Sequence, residues 1–152
     1  MVLAGKLISE LGIKASTDEC FNYLAKQLHE VQDHCERVHH TKLHQGEDWH
    51  HSDTVKHWTY LIDGKVHNHY ESVEEVDEKN KMLRYNLFGG DVGEKYKVFK
   101  LTVEVIDKSD GSGAIRWTID FEKVNETIDP PNGWMDFVTS FTRDIDAHLV
   151  KP

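Results

Sequence analysis

Asp63-Gly64 stands between two runs of strand-forming residues, "VKHWTYLI" and "KVHNHYESVEEV". A two-residue Asp-Gly loop is the strongest short hairpin signal, because its turn needs positive φ and matches the twist of antiparallel strands. This turn also sets a register in which Tyr60 opposes His67, Trp58 opposes His69 and Lys56 opposes Glu71. Opposed residues share one face of a sheet. If Trp58 and Tyr60 face the interior, then His69, Glu71 and Val73 do too. A four-residue loop at "DEKN", 77–80, would instead set Tyr85 opposite Ser72 and turn Asn68, Tyr70 and Ser72 inward. Both registers hold together only through a bulge, since a one-residue slip exchanges the faces. The register with His69 and Glu71 inward is the expected one.

The rest of the chain extends the sheet and adds helices. Residues 5–13 alternate and read as a strand. "GGDVG" at 89–93 and "SDGSG" at 109–113 punctuate later strands. In "AIRWTIDFEK", Trp117, Ile119 and Phe121 alternate with Arg116, Thr118, Asp120 and Glu122, which predicts one buried and one wet face. "STDECFNYLAKQLHEV" opens with Ser16 and Glu19 in capping-box spacing, then repeats apolar residues at helical intervals. That helix is expected to break into two near Asp33. After Pro130-Pro131, the residues Trp134, Val138, Phe141, Ile145 and Leu149 fall three or four apart, predicting a long amphipathic helix. The order is a strand, one or two helices, about six antiparallel strands, and a long helix. This is an α+β layout in which a curved sheet wraps a helix and leaves space between them.

Length and charge narrow the function. The 152 residues match one domain, 1–152, with enough chain to bury a core and no internal repeat or linker. With 27 acidic against 18 basic residues the formal net charge is -9. Nucleic acid and anionic membranes are therefore not expected partners. No run approaches membrane-spanning length, and "MVLAGKLISELGIK" lacks the layout of a signal peptide. A cytoplasmic monomer is the expectation. Cys20 and Cys35, the two cysteines, read as reduced, buried thiols in a helical region.

Several segments, taken in order, resemble the plant major latex protein/ripening-related family within the birch-pollen-allergen superfamily. They are "GKLISELGIKAS", "TVKHWTYLIDGK", "ESVEEVDEKNKML", "GGDVGEKYK", "FEKVNE" and "PPNGWMDF", and they span essentially the whole chain. The resemblance implies a helix-grip fold: a seven-stranded sheet around a long C-terminal helix, two short helices, and a large, mostly apolar cavity. It also implies a carrier or binder of hydrophobic small molecules in defence and development. A minority of the family act as cofactor-free cyclases, condensing enzymes or isomerases. The chain departs from the family in the loop after the second strand, where "QGEDWHHSD" puts His50 and His51 at positions usually small. Such a loop is a poor anion cradle, which needs backbone freedom.

On composition alone the inward residues are ordinary core; the resemblance makes them cavity wall. From the hairpin these are Trp58, Tyr60, His69 and Glu71, and from the next strands Leu83, Tyr85 and Leu87, then Leu101 and Val103. The last strand adds Trp117, Ile119 and Phe121, and the long helix adds Phe137, Phe141 and Ile145. Apolar walls with a few polar groups suit a small-molecule pocket. His69 and Glu71 would orient a polar atom of the ligand, or, in an enzyme, transfer protons, because burial moves both pKa values toward a useful range. Lys123 shares parity with Phe121, so it is either a carbonyl-trapping amine or a solvated strand end.

The histidines of "HHTKLHQGEDWHH", 39–51, read as a wet strand end and loop. His40 and His44 would be about 13 Å apart on a strand, too far to share a metal. In "HEVQDH", His29 and His34 are five apart, about 140° around a helix, and cannot converge as an i, i+4 pair does. No metal site and no cofactor are expected, and no phosphate-loop, dinucleotide or nucleophile-elbow motif occurs. The leading expectation is a binder of a hydrophobic or amphipathic plant metabolite, steroid or lipid. The alternative is a metal-independent cyclase or isomerase acting on a carbonyl or enol intermediate of terpenoid or alkaloid metabolism in the same cavity. A weaker one is a histidine-based metal or pH sensor.

Overall fold

Seven strands form one antiparallel sheet in the order β1-β7-β6-β5-β4-β3-β2. The computed structural model describes residues 3–26, 28–45, 55–62 and 64–150, without the side chains of residues 28, 29, 39, 40 and 42–45. The strands are β1 (Ala4–Ile13), β2 (Val38–Gln45), β3 (Val55–Ile62), β4 (Lys65–Asp77), β5 (Met82–Phe88), β6 (Tyr96–Asp107) and β7 (Gly113–Lys123). Between β1 and β2 lie α1 (Thr17–Lys26) and a 3-10 helix (Leu28–Asp33); α2 (Gly90–Lys95) joins β5 to β6, and α3 (Asn132–Leu149) closes the fold. The break in the first helical region thus comes earlier than Asp33. The expected glycine-rich turn at 89–93 is largely a short helix: Gly89 (φ 67°) precedes α2 and Gly90 (φ 54°) is its first residue.

Strict alternation of burial along β3 and β5 reflects the period-two sequence pattern, with one face on the core and one toward solvent. The hairpin pairs Tyr60 with His67, Trp58 with His69 and Lys56 with Glu71. Between β4 and β5 the register shifts at Val73/Glu75, so Val73 opposes Tyr85 while Asp77 opposes Met82. The bulge reconciles the two local signals, the Asp63-Gly64 loop and the following turn, and keeps His69 and Glu71 on the inner face.

The helices cover that face. The Ser16 hydroxyl oxygen accepts the Glu19 N–H at 3.1 Å, capping α1. α3 buries Trp134, Phe137, Val138, Phe141, Thr142 and Ile145, the stripe its spacing predicts. Two carboxylates on its outer half tie it down. Asp146 accepts the Lys14 and Ala15 N–H groups at 2.8–3.0 Å, and Asp144 accepts the Glu36 N–H at 3.1 Å. Inside, the Trp117 indole N–H donates to the Thr142 hydroxyl at 2.7 Å. No helix among the described residues is long and apolar enough to cross a membrane.

Candidate ligand-binding site

The inner face of β3 and β4 supplies the polar part of the site. Lys56, fully buried, lies 3.7 Å from the Glu71 carboxylate and over the Tyr85 ring, 5.5 Å from its centroid. The Trp58 indole N–H donates to the same carboxylate at 3.0 Å. Burial pushes the Glu71 carboxyl above its ordinary range, and the Lys56 charge and the Trp58 hydrogen bond oppose that push. Burial raises the Tyr60 and Tyr85 phenols likewise, leaving both neutral hydroxyls.

His69 is different. It is 3% exposed, and neither ring nitrogen has a hydrogen-bond partner among the described residues. Its neighbours are rings: Tyr60 at 5.0 Å, Trp134 at 5.5 Å and Trp58 at 6.4 Å between centroids. Burial, with a smaller effect from His57, lowers its pKa to about 3, so the imidazole is neutral and presents one donor and one acceptor.

Trp58, Tyr60, His69, Glu71 and Tyr85 line an internal cavity of about 40 Å³ with Leu24, Leu101, Trp117, Trp134, Phe137, Val138 and Phe141, and Lys56 lies behind that lining. The large cavity implied by the family resemblance is mostly filled here. Tyr60 meets Trp134 at 5.1 Å and Phe137 at 5.3 Å, and Phe137 stacks on Phe141 at 6.0 Å. A second, larger space of about 540 Å³ lies beside it, among the β3–β4 turn, α2 and residues 127–134. Tyr60 and Trp134 line both spaces. The cleft is mixed: it holds Lys65, His67, Asp91 and Lys95 alongside Ile62, Val92, Ile128 and Trp134. Asp91 accepts both the backbone and side-chain N–H of Asn68 at 2.8 and 3.0 Å, fixing α2 to β4.

The sequence profile of the Pathogenesis-related protein Bet v 1 family matches residues 2–152. The chain belongs to that family. MLP-like protein 43 of Arabidopsis thaliana is 31% identical over 150 residues, 97% of this chain and 94% of that protein. The crystal structure of ginseng major latex-like protein 151 from Panax ginseng superposes with a TM-score of 0.93 at 31% identity, covering 98% of this chain and 99% of that one. A norcoclaurine synthase point mutant from Thalictrum shares the fold at a TM-score of 0.77 and 14% identity, covering 99% of this chain and 96% of that one. In sequence this Bet v 1-family chain is similar to major latex-like proteins, and its fold is the helix-grip fold.

Within that fold the residues expected at the cavity divide. Trp58, Tyr60, His69, Glu71, Tyr85, Leu101, Trp117, Phe137 and Phe141 line the internal space. Leu83, Leu87, Val103, Ile119, Phe121 and Ile145 are buried but lie outside its lining, as packing core. Their parity is inward, yet they are not among the residues that reach the void. Trp134 and Val138 from α3, and Leu24 from α1, line it instead. Trp134 was legible as part of the α3 stripe, though not as a wall residue. Lys56 is the inward amine, a position its pairing with Glu71 already marked. Lys123 sits half-buried at the end of β7 and lines neither space.

The remaining candidates are not brought together. His34 stacks on His148 at 3.6 Å, on the side of the molecule near Tyr23, while the side chain of His29 lies outside the described residues. The side chains of His39, His40 and His44 lie outside them too, as do His50 and His51 altogether. Among the described residues, no three His, Cys, Asp or Glu side chains are placed to hold a metal ion. Cys20 and Cys35 are free and buried, and burial pushes both thiols up to about 12. Neither is a nucleophile near neutral pH.

Proposed function

We propose that this chain, acting as one ligand-binding unit over residues 1–152, is a carrier for a hydrophobic or amphipathic small molecule of plant specialised metabolism, a steroid or a lipid. The observation that carries this reading is the buried, largely aromatic chamber holding His69 and Glu71, which shares Tyr60 and Trp134 with a cleft of about 540 Å³. That volume is within the range of small-molecule sites, roughly 300–1,000 Å³. The inner chamber is smaller, so a ligand has to displace Trp134 or Tyr60 to fill it. The net charge of -9 fits a cytoplasmic monomer that engages neither nucleic acid nor anionic lipid.

The carrier reading is preferred to a cyclase or isomerase in the same cavity. A general base works best with a pKa near the working pH. His69, held near 3, is a weak one, and Glu71 is engaged by Lys56 and Trp58. The test is a titration of an apolar anilinonaphthalene dye into protein in excess chelator, read by energy transfer from tryptophan. Saturable, near-stoichiometric transfer that apolar metabolites displace is the expected result. Transfer absent in chelator but restored by zinc would overturn the reading and favour the histidine-rich segment. Product formed by wild type and abolished in both His69→Ala and Glu71→Gln, with each variant still folded by circular dichroism, would replace the carrier with a catalyst.

A further inference from the structure

Resting on the carrier reading, the geometry points to a narrower ligand class: a neutral, hydroxyl-bearing apolar molecule that enters hydroxyl first and hydrogen-bonds His69. A buried imidazole whose two nitrogens have no partner among the described residues is an unfinished hydrogen-bonding group in a wall that, Glu71 apart, is aromatic and aliphatic. Buried polar groups are almost always satisfied, so this one marks where an occupant's polar atom belongs. A hydroxyl can answer either nitrogen, donating to the bare one or accepting from the protonated one. An ether or ketone can answer only the N–H, and a methyl group answers neither.

Charge selects further. Glu71, the carboxylate of the chamber, already faces the Lys56 ammonium and the Trp58 N–H, so the site carries no surplus negative charge for a cationic ligand. An anion would lose its hydration beside a neutral imidazole and a carboxylate, a cost that burial makes large. A neutral ligand avoids both.

Size sets the direction of entry. A water molecule needs roughly 10–15 Å³ of such cavity volume, so about 40 Å³ admits a hydroxyl and the atoms next to it, while the ring body fits the cleft beyond Tyr60 and Trp134. The site is thus a small polar-ended chamber that shares Tyr60 and Trp134 with a larger cleft.

Three matched probes test this by calorimetry at pH 7: 2-naphthol, 2-methylnaphthalene and 2-naphthoate, against wild type, His69→Leu and His69→Gln. The expected order in wild type is naphthol tightest, with a Kd about tenfold below that of methylnaphthalene, equivalent to about 1.4 kcal/mol. In His69→Leu that ratio falls to about one, and His69→Gln, which keeps a donor and an acceptor, restores part of it. Equal affinities for naphthol and methylnaphthalene in wild type, a ratio unchanged in His69→Leu, or naphthoate binding tightest would each overturn the inference while leaving the carrier reading intact. Failure of all three probes to bind wild type would remove the carrier reading itself. Should His69→Leu not fold, the wild-type order and His69→Gln decide.

Discussion

Lys56 and Glu71 are a buried ion pair in a wall that an apolar pair could fill. Removing two charges from water costs several kcal/mol each, and mutual attraction recovers that only with good geometry and further hydrogen bonds. Here the Trp58 N–H supplies one such bond. Glu71→Gln should therefore destabilise the fold by about 3–5 kcal/mol in urea unfolding, because Lys56 then stays buried without a carboxylate charge opposite it. The double variant Lys56→Met/Glu71→Leu should recover most of that loss. His69 gives a separate signature in pH. Its pKa falls from an ordinary 6.5 to about 3 on folding, so between these values the unfolded chain binds the extra proton. Its contribution is present above pH 6.5 and is lost as pH falls, by up to about 1.4 kcal/mol per pH unit. Glu71, raised on folding, acts in the opposite sense, which is why a comparison with His69→Leu is needed. Between pH 7 and 4.5 the stability of His69→Leu should gain about 2 kcal/mol on wild type; a pH-independent difference would show that His69 is not buried and neutral. At this scale the inward facing of His69 and Glu71 was readable from the hairpin register. Lys56 was equally readable by parity, but lysine is so seldom fully buried that composition argued against it.

The elements owe their placement to a few polar anchors. Asp146, on the last turns of α3, accepts two backbone N–H groups at the β1–α1 junction. Asp146→Ala should cost about 2 kcal/mol, in line with hydrogen bonds to a charged acceptor, and Asp146→Asn less, as read by thermal unfolding. At the other end Gly90 has φ of 54°, and a Cβ there would collide with the Asn68 carbonyl oxygen. Gly90→Ala should destabilise by about 2 kcal/mol and loosen α2, seen as faster amide exchange over residues 90–95. The strands, the capped start of α1 and the amphipathic α3 were all legible, since each follows from a hydrophobic period. The helical character of residues 90–95 was not, because six residues with a double glycine read as a turn until Asp91 is seen fixed to Asn68. The bulge at Val73/Glu75 was legible only as a conflict between two turns.

For the whole molecule, the α+β layout followed from element order and the helix-grip fold from the family resemblance, and the match of the Bet v 1 family profile to residues 2–152 agrees with both. Cavity volume did not follow from sequence. It is a small difference between the space under a sheet and the rings that fill it, and it depends on how Trp134, Phe137 and Phe141 turn. Parity names every inward residue but cannot rank those touching the void above those behind them, so it does not separate Leu83, Val103 and Ile119, which lie outside the lining, from those that reach it. The central claim is that an apolar ligand binds in this interior and not on the outer aromatic surface formed by Tyr70 and Phe88, which stack at 6.1 Å. The most direct measurement is of intermolecular nuclear Overhauser contacts between bound 2-naphthol and the protein's aromatic side chains. Contacts to Tyr60, Trp134 and Phe137, with none to Tyr70 or Phe88, are predicted; contacts confined to Tyr70 and Phe88 would contradict the account.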